Sequence, residues 1–403
     1  CREILFLKGA VQLKKIFING KIVTMERDMP FIEGVVVSDG KIVFVGRNED
    51  VLSYKGKYTQ IIDLNGRVMV PGFIDSHMHL LNLGLTMKVI DLSGVRSIQQ
   101  LKTVISQYIE NHSVEPGQWV LGRGWNQDYF EEKVFPDKYI LDEISQQHPI
   151  VIARACGHVI VANSKAIEMC GINRYTKQIE GGSMDLDDKG EPNGIFRENA
   201  MELIYPKMPK NDVNSIKEAI LAAQERALSY GLTSVQSDDL QSALGAGYRE
   251  VIQAYKELVQ EGKLKLRVYE QCLLPTMEEL KDFFDNGFYP GWGGRHFRLG
   301  PLKLLTDGSL GARTAYLTQD YNDSPGNCGI CIYTQEELDQ LVEFAHERNM
   351  STAIHCIGDK AMYMAVGSIE KAIKKMPGKN VRHSIVHCQI TNEELIERFK
   401  QLN

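Results

Sequence analysis

Two histidines one residue apart close a short apolar run in "PGFIDSHMHL", residues 71–80. Pro71-Gly72 is a turn former, and Phe73 and Ile74 open what reads as a buried strand. Side chains at i and i+2 of a strand share a face, so His77 and His79 point the same way, with Asp75 one step earlier on that side. Two imidazoles on one face can approach one cation at the ~2.0–2.1 Å of a zinc–nitrogen bond. Two histidines alone make an incomplete site, and a hydrogen-bonded, metal-free strand end is the plain alternative. Further ligands have to come from elsewhere in the chain.

Elements able to bring them are legible. From residue 71 onward, strand-like runs alternate with amphipathic helical stretches, the grammar of βα units and a parallel sheet. "EAILAAQERALSYGLTSVQSDD" is a helix, a Gly231 stop and a strand, and "EELDQLVEFAHERNMSTAIHCIGD" repeats the pattern. Six core strands are expected, near 73–79, 233–237, 266–272, 299–306, 352–356 and 384–388. In a (β/α)8 barrel the C-terminal strand ends converge on one mouth. His77 and His79 end the first of these strands, Lys303 the fourth, His355 the fifth and His387 the sixth. His383, on the same face as His387 but deeper, reads as structural.

The remainder divides differently. Residues 14–70 are short β-branched runs separated by "NGK", "DGK" and "NGR" hairpin signals, a small all-β domain expected to form the N-terminal part of a β-sandwich. Residues 91–210 break the βα rhythm and read as an insertion after the first barrel strand, a lid over the site or a stabilising subdomain. Residues 1–13 carry no initiator Met and no strand pattern, and read as an appended or leader extension.

Composition narrows the classes. The 403 residues are 43% hydrophobic and 24% charged, ordinary for a globular protein. A formal net charge of −6 gives no electrostatic case for nucleic acid or an anionic membrane surface. No run reaches the ~18 apolar residues of a membrane helix. The eight cysteines are scattered, which fits reduced thiols and a cytoplasmic location. Cys328-x-x-Cys331 has no second pair at zinc-site spacing and reads as two loop thiols.

The ordered set "VPGFIDSHMH", "GWNQ", "GHVIVANSKA", "NGIFRE", "GLTSVQSDD", "LKLLTDGSLGARTA", "HCIGDKA" and "RHSIVHCQ" resembles the amidohydrolase superfamily. The likeness is to its N-substituted formamide deformylase-like branch, metal-dependent amidohydrolase family 3, and runs from residue 15 to the end. The resemblance implies that His77, His79, Lys303, His355 and His387 bind one or two divalent metals, zinc being expected. A neutral lysine amine can react with CO2 to a carbamate, so a carboxylated Lys303 would bridge two ions as a carboxylate does. The implied activity is hydrolysis of a non-peptide carbon–nitrogen bond of amide type by metal-activated water. By the same resemblance Lys303 and His355 would act through the metal, on a small-molecule substrate. Asp307, Trp125 and His158 are candidates to line the pocket, each with a structural alternative. The assembly is left open, a homodimer included.

The resemblance also implies an aspartate ending an eighth strand, to shuttle protons from the attacking water. This chain stops at "TNEELIERFKQLN", one helix past the sixth strand. We expect it to be a fragment of a longer protein, with strands seven and eight and the C-terminal β part lying outside it. Two rivals remain: a mononuclear deaminase of the same fold, which needs no strand-four lysine, and a non-catalytic homologue.

Overall fold

In the computed structural model the residues described are 14–157, 159–179, 182–311 and 313–402. The chain forms two compact units divided between Phe73 and Ile74. The first holds a four-stranded sheet, built from Lys14–Ile18, Gly34–Ser38, Lys41–Gly46 and Thr59–Asp63, and a three-stranded one from Lys21–Val23, Phe31–Ile32 and Val68–Met69. Asp39-Gly40 and Asn65-Gly66 adopt positive φ, which is why turn residues of those types punctuate this region.

The second unit contains a six-stranded sheet whose spatial order equals its chain order: β1 (Phe73–Met78), β2 (Leu232–Ser237), β3 (Arg267–Leu273), β4 (Phe297–Leu305), β5 (Thr352–Cys356) and β6 (Ser384–His387). The pairings from β2 to β6 are parallel. The result is a mixed α/β fold with a half-barrel sheet.

Helices follow the strands in turn: α1 (Leu80–Thr86), α2 (Val213–Ser229), α3 (Tyr248–Gln260), α4 (Met277–Asp285), α5 (Gln335–Glu347), α6 (Asp359–Lys375) and α7 (Glu393–Leu402). Local sequence sets their ends. Asp212 and Ser215 form a capping box at the start of α2, and Thr334 and Glu337 do so for α5. Gly231, at φ +82°, stops α2 and releases the chain into β2. A continuous core of Leu, Ile, Val and Ala side chains, among them Leu266, Val268, Leu302, Leu304, Ile354 and Val366, seals helices to sheet. Gly84 lets α1 lie directly on α2, since a Cβ there would meet the Ala219 carbonyl oxygen at 1.9 Å.

Between α1 and α2 the insertion folds as its own six-stranded sheet, from Ile90–Asp91, Val120–Trp125, Ile150–Arg154, Val159–Ala162, Gly182–Leu186 and Pro192–Glu198. It has separate hydrophobic clusters on its two sides. Among the described residues no helix is long and apolar enough to cross a membrane.

Buried His346 and half-buried His383 brace the entry to β6. His346 Nε2 lies 3.1 Å from the Met376 carbonyl, which can only accept, so that nitrogen carries the proton. His346 Nδ1 then accepts from His383 Nε2, 2.9 Å away, and His383 Nδ1 accepts from the Thr352 amide. The His383 ring is therefore held neutral. Burial, with His346 close by, lowers the His383 pKa from 6.5 to about 4. Protonation in this window favours the unfolded chain, so the stability His383 confers is complete above pH 6.5 and is lost as pH falls toward 4. The loss is at most about 3 kcal/mol. The expected outcome is a wild-type Tm that drops between pH 7 and pH 5 more steeply than that of His383→Asn; equal slopes would remove His383 from the account.

Candidate metal centre

β1 delivers His77 within the strand and His79 just beyond it, as the residue capping α1. The turn after them is pinned from β2: the Leu80 amide donates to Ser237 Oγ at 2.7 Å and the Leu81 amide to Asp239 Oδ1 at 2.9 Å. Asp239 also accepts from the Tyr255 hydroxyl, and its own amide donates to Glu270 Oε1 at 2.7 Å. Burial raises the pKa of both Asp239 and Glu270. Asp75 Oδ1 accepts from the His77 amide at 3.1 Å, so its carboxylate orders the strand end.

The five candidate ligands converge as a connected group. Ring centroids are 5.4 Å apart for His77–His79, 5.1 Å for His77–His387 and 4.6 Å for His355–His387. Lys303 is close enough to act on the charges of His77 and His387 and is 1% exposed, with Nζ 3.2 Å from Asp238 Oδ2. Asp238, at the end of β2 and 3% exposed, also contacts His79 Nδ1.

His387 reaches this group by an irregular route. Its register partner on β5 is Cys356, a core residue, while His355 is paired with Val386. Simple alternation would send His387 toward the helices with Cys356. Positive φ at His387 (+71°) and Cys388 (+48°) breaks the pleat, and the imidazole lies against His355 and His77 instead. A non-glycine residue in this region costs about 1–3 kcal/mol, and such strain clusters at functional sites.

Electrostatics separate the members. Burial, reinforced by Lys303, lowers the His77 pKa to about 4, leaving a neutral imidazole. Burial and His355 lower that of His387. His79 moves upward through its hydrogen bond to Asp238. Burial opposes ionisation of Asp238, but His79 and Lys303 outweigh it and keep the carboxyl below its ordinary value. Burial also lowers the Lys303 pKa, against the pull of Asp238.

These residues fit a divalent transition metal. Neutral imidazoles are its preferred nitrogen ligands. His77 Nδ1 is buried with no hydrogen-bond partner, a lone pair or N–H left for something else. Imidazoles sharing a tetrahedral ion would have centroids roughly 5 Å apart, close to the separations here. As the side chains stand, no three His, Cys, Asp or Glu among the described residues already form a closed ligand set.

The other candidates sit apart from this group or beside it. Trp125 is fully buried in the insertion core between Phe130 and Phe135, its Nε1 donating to the Ile152 carbonyl at 3.2 Å. Asp307 is buried behind His355. His158 lies outside the described residues. Asp238 was not singled out as a site residue from sequence, although "SDD" places two carboxylates at a strand end, which is the signal that could have found it.

The amidohydrolase family profile matches residues 60–403. The chain is 34% identical over 395 residues to YtcJ of Bacillus subtilis (strain 168), covering 97% of this chain and 72% of that protein. It is 24% identical over 398 residues to the N-substituted formamide deformylase of Arthrobacter pascens, covering 96% and 71%. Among solved structures, an uncharacterized metal-dependent hydrolase from Pyrococcus furiosus superposes with a TM-score of 0.77 at 30% identity, over 96% of this chain and 75% of that one. With the half-barrel and its histidine-lined strand ends, these matches establish that the chain belongs to the amidohydrolase family, a family of metal-dependent hydrolases.

Proposed function

We propose that the complete protein hydrolyses a carbon–nitrogen bond of amide type in a small molecule, with His77, His79, Lys303, His355 and His387 holding one or two divalent ions, zinc first among them. The observation that carries the proposal is the meeting of four imidazoles and a buried lysine amine from β1, β4, β5 and β6. A bound divalent ion supplies Lewis acidity, making water a usable nucleophile near neutral pH and polarising a carbonyl. The chain's own residues prepare the ligands. Burial keeps His77 and His387 unprotonated and so able to ligate. Asp238 contacts both His79 and Lys303 and so ties the two together. The likeness to a formamide deformylase supports an N-acyl or N-formyl amine as the substrate class.

Lys303 distinguishes the binuclear form from a mononuclear deaminase. As a neutral amine it can add to the carbon of CO2 and release a proton, giving an anionic carbamate. Beside Asp238 that anion is repelled unless cations lie between the two, so carboxylation and metal uptake would be coupled. The test is metal analysis after reconstitution with zinc and bicarbonate, followed by release of amine from a panel of N-formyl and N-acyl amines. Two ions per chain are expected, with amide turnover in the complete protein. One tightly held ion, with ammonia released from a purine or pyrimidine instead, would replace this reading by the deaminase.

A further inference from the structure

Asp307 follows β4 in "TDGSLG" and uses its whole carboxylate on nearby groups. Oδ1 accepts from the Ile357 amide at 3.0 Å, and Oδ2 from the Gly358 amide at 2.7 Å and the Tyr316 amide at 2.9 Å. Oδ1 also lies 3.3 Å from His355 Nε2. A carboxylate has about four acceptor positions; three amides take three of them and His355 Nε2 lies against the fourth, which leaves none for a substrate. The cradle is tight: a Cβ on Gly358 would fall 1.9 Å from the Tyr316 carbonyl oxygen.

The same imidazole nitrogen lies 3.0 Å from the Gly308 carbonyl oxygen. His355 Nε2 thus faces two oxygens, neither of which can donate, and must itself carry the proton. A neutral imidazole has only one N–H, so Nδ1 keeps the lone pair. The ring is edge-on to His387.

We infer that Asp307 is a positioning residue: together with the Gly308 carbonyl it fixes His355 as the Nε2–H tautomer and orients its ring toward the metal centre. This rests on the metal-centre reading above and changes the part Asp307 plays from substrate contact to ligand support. An acceptor behind a ligating histidine sets its tautomer and raises its basicity, and losing one typically weakens metal affinity ~10–100-fold.

The experiment is two-bond 1H–15N correlation NMR on histidine-labelled chain, His355 being assigned by its loss in His355→Gln, first metal-free at pH 8 and then through a zinc titration. His355 is expected to carry its proton on Nε2 throughout, with Nδ1 shifting as zinc binds. Asp307→Asn is expected to mix the tautomers and weaken zinc binding 10–100-fold, whereas a merely structural role would lower Tm and leave the tautomer alone. A metal-free wild-type ring protonated on Nδ1, zinc taken up on Nε2, or an Asp307→Asn chain with unchanged tautomer and affinity would each overturn the inference. Should Asp307→Asn not fold, the wild-type titration decides by itself. Zinc that shifts none of His77, His355 and His387 would sink the metal-centre reading, while the metal-free tautomer would still report on Asp307.

Discussion

Replacing His77 with alanine should remove at least one ion and most turnover of the complete protein, lowering zinc affinity by more than about 100-fold, beyond what loss of a supporting residue usually costs. The His77 ring touches two others, at 5.4 Å from His79 and 5.1 Å from His387, as the His387 ring also does, but His77 Nδ1 is in addition buried without a partner. His79→Ala should show the same loss of an ion for a different reason, since it also removes a contact from buried Asp238. The two variants should therefore match in metal content but differ in stability, with His79→Ala melting lower. Elemental analysis of each purified chain provides the check. Full metal content in either would mean that the opening H-x-H is only a strand end.

Lys303→Ala is expected to lose at least one ion and most activity, and to abolish any dependence of metal loading on bicarbonate. The amine is buried at 1% exposure with Asp238 as its close partner, and burial lowers its pKa. A group so placed exposes the neutral nucleophile more readily than a surface lysine does. Removing it leaves the Asp238 carboxylate buried without its cation, so some fall in Tm accompanies the loss of metal. Short carboxylates such as formate or acetate should restore part of the metal content by occupying the space of the carbamate. Unchanged stoichiometry and turnover in Lys303→Ala would end the binuclear proposal, as would a metal-loaded structure with a bare lysine turned away from both ions.

What could be read from sequence was local. The i, i+2 identity of His77 and His79 needs only strand pleating, and the six core strands appear within a residue or two of their expected limits because helix caps and glycine stops mark each βα unit. The positions of Lys303, His355 and His387 at the ends of those strands were legible too, and the family resemblance made them ligand candidates. Tertiary structure decided the rest. Asp238 meets Lys303 across 65 positions of chain, through a parallel register that no local pattern encodes. His387 turns to the site only because its backbone leaves the extended region, which strand alternation cannot foresee. Trp125 could equally have lined a pocket or filled a core; its burial against Phe130 and Phe135 depends on how the insertion's sheet closes on itself. The physical reason is common to all three: residue type and spacing determine which chemistry a side chain can perform and which face of its own element it starts on. Register, packing and backbone dihedrals then determine what it meets.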